Sequence, residues 1–256
     1  MEKEMKSVLA SLSMFTRLPF WRLATIPQEC YERVVPLWPL AGWLTGGVMA
    51  LVLWVASMAL PMGICVVLAL VARVLLTGAL HEDGFADFCD GFGGGTSRER
   101  TLQIMKDSHI GTYGVLGLVL YYLLMYNVLT YIFAFRWASV LLLVAADAFA
   151  KLCSSQIINL LPYARKAEEA KTRLVYQRMA PLECLTGFVL GITPCIALAV
   201  LCPVVIGPLL CACAASMVAS LLMIALMHRR LQGYTGDCCG ATFIVTEAVF
   251  YLALAL

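Results

Sequence analysis

Asp83, Asp87 and Asp90 are spaced i, i+4, i+7, with Glu82 beside them, in a 256-residue chain that has only three other aspartates. On a helix these positions share one face. Carboxylates held that closely repel one another, so the pattern calls for a positive partner. A hard divalent cation fits, because Mg²⁺ takes oxygen ligands, commonly one or two carboxylates plus substrate phosphates. Gly93, Gly94 and Gly95 follow, and such residues let a backbone approach phosphate oxygens closely. Arg98, Arg100 and Lys106 come next, suited to neutralising the remaining phosphate charge. The stretch HEDGFADFCDGFGGG (81–95) therefore reads as a site for a metal-bound diphosphate, with Glu82, Asp83, Asp87 and Asp90 as ligand candidates. A zinc protease motif is excluded, because Phe85 stands where the second histidine of HExxH belongs. An ATP-binding P-loop is excluded too, since neither GFGGGTSR nor GDCCGAT contains its lysine.

These acids must be positioned by a very apolar chain. It is 62% hydrophobic and 13% charged, with mean hydropathy +0.87. A soluble domain is usually about 45–50% apolar and about 25% charged. Apolar runs long enough to span a bilayer fall near 36–60, 62–80, 112–134, 137–161, 184–202, 207–227 and 241–256. Their continuity favours helices over strands. The expected architecture is all-α: a polytopic transmembrane bundle of six or seven spans forming one domain over residues 1–256. The opening MEKEMKSVLASLSMFTRLPF has early acids and Arg17 in its middle, so it reads as an amphipathic surface segment rather than a signal peptide.

Outside the spans, every lysine and arginine except Arg136 falls before the first span or after the second, fourth and sixth. The positive-inside rule makes that side cytoplasmic. The acidic stretch begins there, at the end of the second span. Within the spans, Asp147 and Lys151 stand four apart and could pair on one helix face. Arg73 could snorkel or face the acidic cluster. The eleven cysteines include no CxxC pair, and most sit in apolar runs, so they read as small packing residues. No basic–aromatic patch points to nucleic acid.

HEDGFADFCDGFGGG, RERTLQIMKDSHIGTYGVLGL and YTGDCCGA, with the opening SMFTRLP and the segment PLAG (39–42), resemble the cobalamin synthase family of adenosylcobinamide-GDP ribazoletransferases. The resemblance runs nearly end to end. It implies an Mg²⁺-dependent transfer of the cobinamide-phosphate part of adenosylcobinamide-GDP to α-ribazole or its 5′-phosphate, with release of GMP. It also implies a bacterial inner-membrane enzyme with a cytoplasmic site, and it leaves room for a homo-oligomer. Asp237 in TGD and Glu247 in the last span match family acids, and Asp107 falls in IMKDS. The chain departs from the usual pattern at Glu82, often Leu, at His109, often Arg, and at Lys151, often Arg. For such a reaction Asp107 is the first candidate to orient or deprotonate the attacking hydroxyl, and His81 is the rival base.

Two other readings compete. Asp87-x-x-Asp90-Gly91 resembles the start of the CDP-alcohol phosphotransferase signature, but Gly94 and Gly95 replace its following Ala-Arg. An ion-coupled transporter using Asp147 and Glu247 would predict related halves with broken helices, and no such halves are visible.

Overall fold

The computed structural model describes residues 2–135, 139–165 and 175–256; Arg136, Lys166, Lys171 and Arg173 of the charge pattern lie outside them. Twelve α-helices occur among the described residues. They are α1 (Glu2–Phe15), α2 (Gln28–Glu32), α3 (Trp38–Ser57), α4 (Met62–Thr77), α5 (Leu80–Gly94), α6 (Arg98–Lys106), α7 (Thr112–Phe135), α8 (Leu141–Ser155), α9 (Ile157–Leu160), α10 (Pro181–Leu201), α11 (Ile206–Leu231) and α12 (Gly236–Ala255). Among the described residues six helical segments are long and apolar enough to cross a membrane: Val35–Ser57, Thr112–Ala134, Leu141–Leu160, Pro181–Leu201, Pro203–Leu231 and Gly236–Ala255. The protein is a multi-pass membrane protein with an all-α fold.

Helix α8 lies at the centre, with nearly every residue from Leu142 to Ser155 buried. Its small residues allow close approach: a Cβ on Gly42 of α3 would lie 2.8 Å from the Cα of Ala148. Close backbone approach through small residues is how membrane helices gain packing energy without a hydrophobic drive between them. The outer helices α7, α10 and α11 turn Leu116, Leu120, Leu123, Phe188, Val200, Leu210 and Leu221 outward. That surface suits lipid.

The second expected span differs. Helix α4 has 16 residues, about 24 Å at 1.5 Å per residue, short of the roughly 30 Å hydrocarbon core. It does not continue into the acidic stretch. Gly78 (φ 66°) and Ala79 (φ 60°) both adopt the left-handed conformation, and α5 leaves at 90° to α4. Left-handed backbone costs a non-glycine residue about 1–2 kcal/mol, so Ala79 is held there by its surroundings. The Arg17 amide donates to the Leu76 carbonyl at 2.7 Å, and a Cβ on Gly78 would lie 2.9 Å from the Arg17 Nε. The segment after α1 therefore braces the bend. All eleven cysteines are free thiols.

Candidate active site

The bend delivers Leu80, His81, Asp83 and Gly84 to the wall of a cavity of about 750 Å³. Its lining comes from the ends of α1, α2, α3, α5, α8 and α12 and from Tyr163, Arg165 and Tyr176. These are the ends on the side that carries the basic residues. The outer part is polar, with Gln28 and Asp83 exposed and Arg165 and Asp237 half-buried. The inner part is buried and aromatic, made by Phe15, Trp38, His81 and Phe243, with Lys151 on its floor.

Helices α5 and α12 abut where the two acids meet the cavity. A Cβ on Gly84 would lie 3.0 Å from the Cα of Asp237, and one on Gly240 would lie 3.2 Å from the His81 carbonyl. Asp83 and Asp237 thus project from adjoining helix backbones. The first turn of α12 opens at the same mouth, and a helix N-terminus favours anions. Arg165 is fixed nearby: its Nη2 donates to the Leu102 carbonyl at 3.1 Å. Reciprocal backbone bonds between 162–164 and Tyr234, at 2.8 and 2.9 Å, pin that strand-like segment to the α11–α12 turn.

The four predicted metal ligands are dispersed. Asp83 reaches the cavity, and Asp87 lies one turn on, half-buried. Asp90 is buried about 10 Å from Asp83 along the helix. Its Oδ2 accepts from the Gly111 amide at 2.7 Å and its Oδ1 from the Gly114 amide at 2.8 Å, capping the start of α7. Glu82 is buried 3.8 Å from the Arg73 guanidinium, with neither oxygen hydrogen-bonded among the described residues. No three described His, Cys, Asp or Glu side chains gather as a metal cage. What the mouth offers is Asp83 and Asp237, two hard carboxylates beside room for phosphate. That donor set fits Mg²⁺ in its mode of few carboxylates plus substrate oxygens.

The glycine run is not a loop. Gly93 and Gly94 complete α5, and the ring of Tyr113 lies where a Gly93 Cβ would be, 2.5 Å away. The Gly95 amide donates to the Gly91 carbonyl at 2.9 Å. These glycines serve helix packing among α5, α6 and α7. Arg98 is likewise structural in its contacts: Nε donates to the Leu231 carbonyl and Nη2 to the Ala164 carbonyl, both at 2.7 Å. Arg100 and Asp107 line a separate pocket of about 340 Å³ with Asp90 and His109. Arg100 Nη1 donates to Gln103 Oε1 at 2.9 Å, and Lys106 is exposed at the end of α6. Asp107 Oδ1 accepts from the His109 amide at 3.0 Å and meets its Nδ1 at 2.7 Å. The side-chain bond to His109 is the main cause that holds the Asp107 carboxyl below its ordinary range. Of the two candidate bases, only His81 reaches the main cavity. Its two ring nitrogens are buried without partners among the described residues.

Beneath the floor lies a buried ionic network. Lys151 pairs with Asp147, as their spacing suggested, and Thr45 donates to Asp147 Oδ2 at 2.7 Å. Arg73 does not snorkel. Its Nη1 donates to both oxygens of Glu247 at 2.6 and 2.7 Å, and its Nη2 to the Tyr121 hydroxyl at 2.6 Å. Sequence reasoning missed Arg165 and the aromatic wall of Phe15, Trp38 and Phe243. Nothing in their spacing marks them, because the cavity is assembled from helices far apart in the chain.

A cavity with an acidic mouth thus lies at the basic ends of the apolar helices, and comparison with known proteins gives the chain a family. The family described as cobalamin-5-phosphate synthase matches residues 7–255. A relative named adenosylcobinamide-GDP ribazoletransferase from Leptothrix cholodnii is 38% identical over 97% of this chain and 94% of its own. Relatives of the same name from Shewanella amazonensis (36%) and Leptospira interrogans (30%) align over all of this chain and 96% and 97% of theirs. No solved structure matches. With the match running from α1 to the last turn of α12, the chain belongs to the cobalamin-5-phosphate synthase family.

Proposed function

We propose that the chain is an Mg²⁺-dependent adenosylcobinamide-GDP ribazoletransferase of the bacterial inner membrane, with its site open to the cytoplasm. The observation that carries this reading is the cavity itself. It lies at the basic ends of the spans, and Asp83 and Asp237 stand at its mouth on abutting helices. In the reaction, a ribose hydroxyl of α-ribazole or its 5′-phosphate forms a new P–O bond to the cobinamide phosphate, and the diphosphate P–O bond to GMP breaks. Phosphoryl transfer of this kind asks for positioning and charge neutralisation more than covalent help.

Asp83 and Asp237 would hold Mg²⁺, which when bound neutralises the diphosphate and the leaving GMP. Arg165 and the first amides of α12 bind phosphate oxygens from the other side. His81 takes the hydroxyl proton on an unpartnered ring nitrogen. Lys151, matched by Asp147, fixes the floor. Asp107, in the separate pocket, does not touch the reacting atoms.

The test is GMP release from purified protein in lipid nanodiscs, with adenosylcobinamide-GDP and α-ribazole as substrates and Mg²⁺ titrated. Asp83→Asn and Asp237→Asn should each remove most of kcat with the fold retained. His81→Phe should cost about 10²–10⁴-fold, the usual worth of general base catalysis. Near wild-type turnover by Asp83→Asn would refute the assignment. Sidedness is read by labelling a cysteine placed at Thr96 in intact cells and in inverted vesicles.

A further inference from the structure

We infer that the inner end of the cavity is the subsite for the ribazole base, and that Trp38 reads its single ring-nitrogen acceptor. The inference deepens the proposed function and rests on it. Trp38 is buried at the start of α3. It packs edge-on against Phe15 at 5.6 Å and Tyr176 at 5.3 Å between centroids. Phe15 in turn stacks on His81 at 5.7 Å, and His81 lies 4.3 Å from Phe243. The walls are therefore aromatic faces and edges, which favour a flat bicyclic ligand.

The polar inventory of this end is short. Trp38 Nε1 is a buried donor with no partner among the described residues. Indole N–H groups usually find a partner when buried, and leaving one unmade carries a desolvation penalty. Among the described residues that line the cavity, the other buried side-chain atoms without a partner are the ring nitrogens of His81, assigned above to the ribose hydroxyl. Lys151 is engaged by Asp147 and lies 4.0 Å over Phe243. The carboxylates that line the cavity, Asp83 and Asp237, stand at the mouth.

The two bases of the reaction make different demands. Guanine carries an N1–H, an exocyclic amine and carbonyl and ring-nitrogen acceptors. Buried at this end, it would leave several groups unpaired, each at a desolvation cost. A benzimidazole riboside carries one ring-nitrogen acceptor, and its remaining edge is carbon and hydrogen. One N–H donor among aromatic walls matches it. The nucleotide and the corrin then lie toward the polar mouth.

The test compares Trp38→Phe with wild type on two substrates: the benzimidazole riboside, and the indole riboside in which the acceptor nitrogen is replaced by C–H. Wild type should disfavour the indole analogue by about five- to tenfold in KM, the net worth of one neutral hydrogen bond. Trp38→Phe should raise KM for the benzimidazole riboside by the same factor, leave the indole analogue unchanged, and leave KM for adenosylcobinamide-GDP unchanged. Calorimetry with each riboside alone should repeat the pattern without turnover. Equal losses on both ribosides mean that Trp38 only packs, and overturn the inference. Absence of GMP release by wild type, with riboside binding intact and Trp38-dependent, would instead sink the proposed function and spare the subsite.

Discussion

Glu247→Gln should destabilise the protein by about 3 kcal/mol, and removing the Arg73 part of the buried network as a whole should restore most of that loss. The wild-type carboxylate is fully buried and takes two short bonds from one nitrogen of Arg73, with the Tyr121 hydroxyl donating at 3.3 Å. Removing one partner of a buried ion pair commonly costs about 3–5 kcal/mol, because the other charge is left uncompensated. Here the cost sits at the low end, since Glu82 already lies 3.8 Å from the same guanidinium and can close on it. Replacing Arg73 and Glu247 by Met together removes both charges. Glu82→Leu and Tyr121→Phe must accompany them, or an acid and a hydroxyl would be stranded in the core. Charge-free replacement of buried ionic groups is often neutral or stabilising, so the quadruple variant should lie within about 1 kcal/mol of wild type. Reversible unfolding in detergent micelles, at matched protein and detergent, measures both. The reasoning fails if Glu247→Gln costs under about 1 kcal/mol, or if the quadruple variant is less stable than Glu247→Gln alone.

Gly78→Ala should cost about 1–2 kcal/mol from the left-handed backbone alone, and Gly78→Val more, because its branches meet Arg17; denaturation reads the loss, and unchanged stability would refute the braced bend. Asp90→Ala should lower thermal stability by releasing the Gly111 and Gly114 amides while leaving the Mg²⁺ dependence of turnover in place; a large rise in the Mg²⁺ requirement would return Asp90 to the ligand set. Asp107 has a lowered carboxyl, so its bonds to His109 persist above and through the ordinary carboxylate range and are lost only as pH falls through the depressed value. Carboxyl carbon NMR should place its midpoint below that of a free aspartate, and a midpoint at or above it would refute the pairing.

Much of the fold was legible because lipid imposes long apolar runs and the basic residues mark one side. The Asp147–Lys151 pair was legible because four residues make one helix turn. The bend was not, since Ala79 has no residue-type reason to adopt φ 60°; tertiary contacts from the Arg17 segment hold it there. The i, i+4, i+7 acids do lie on one helix, yet their partners differ. Asp90 reaches across 21 and 24 residues to amides that the local sequence does not announce. Arg98 spans 66 and 133 residues to the carbonyls it satisfies. A charged motif read along the chain looks like one site, whereas packing assigns its members to separate tasks.

The 90° bend has a physical reason in the chemistry it serves. A straight continuation of α4 would carry its acids away from the bundle into water, where a Coulombic contact is weak. Turning at Gly78 lays α5 against α12, so that His81 and Glu82 are buried while Asp83 stays at the surface. The same turn lets an apolar base bind in a dry aromatic end while phosphates remain at a wet mouth. Charge follows that division. Lys151, the cation on the cavity floor, is matched by Asp147, and the mouth sets Asp83 and Asp237 against Arg165. Among the described residues that is two acids against one base, a balance that favours a dication over a free diphosphate. On our reading, the nucleotide substrate therefore binds this mouth as its metal complex, and Asp83 and Asp237, brought together by the packing of α5 on α12, select for that form.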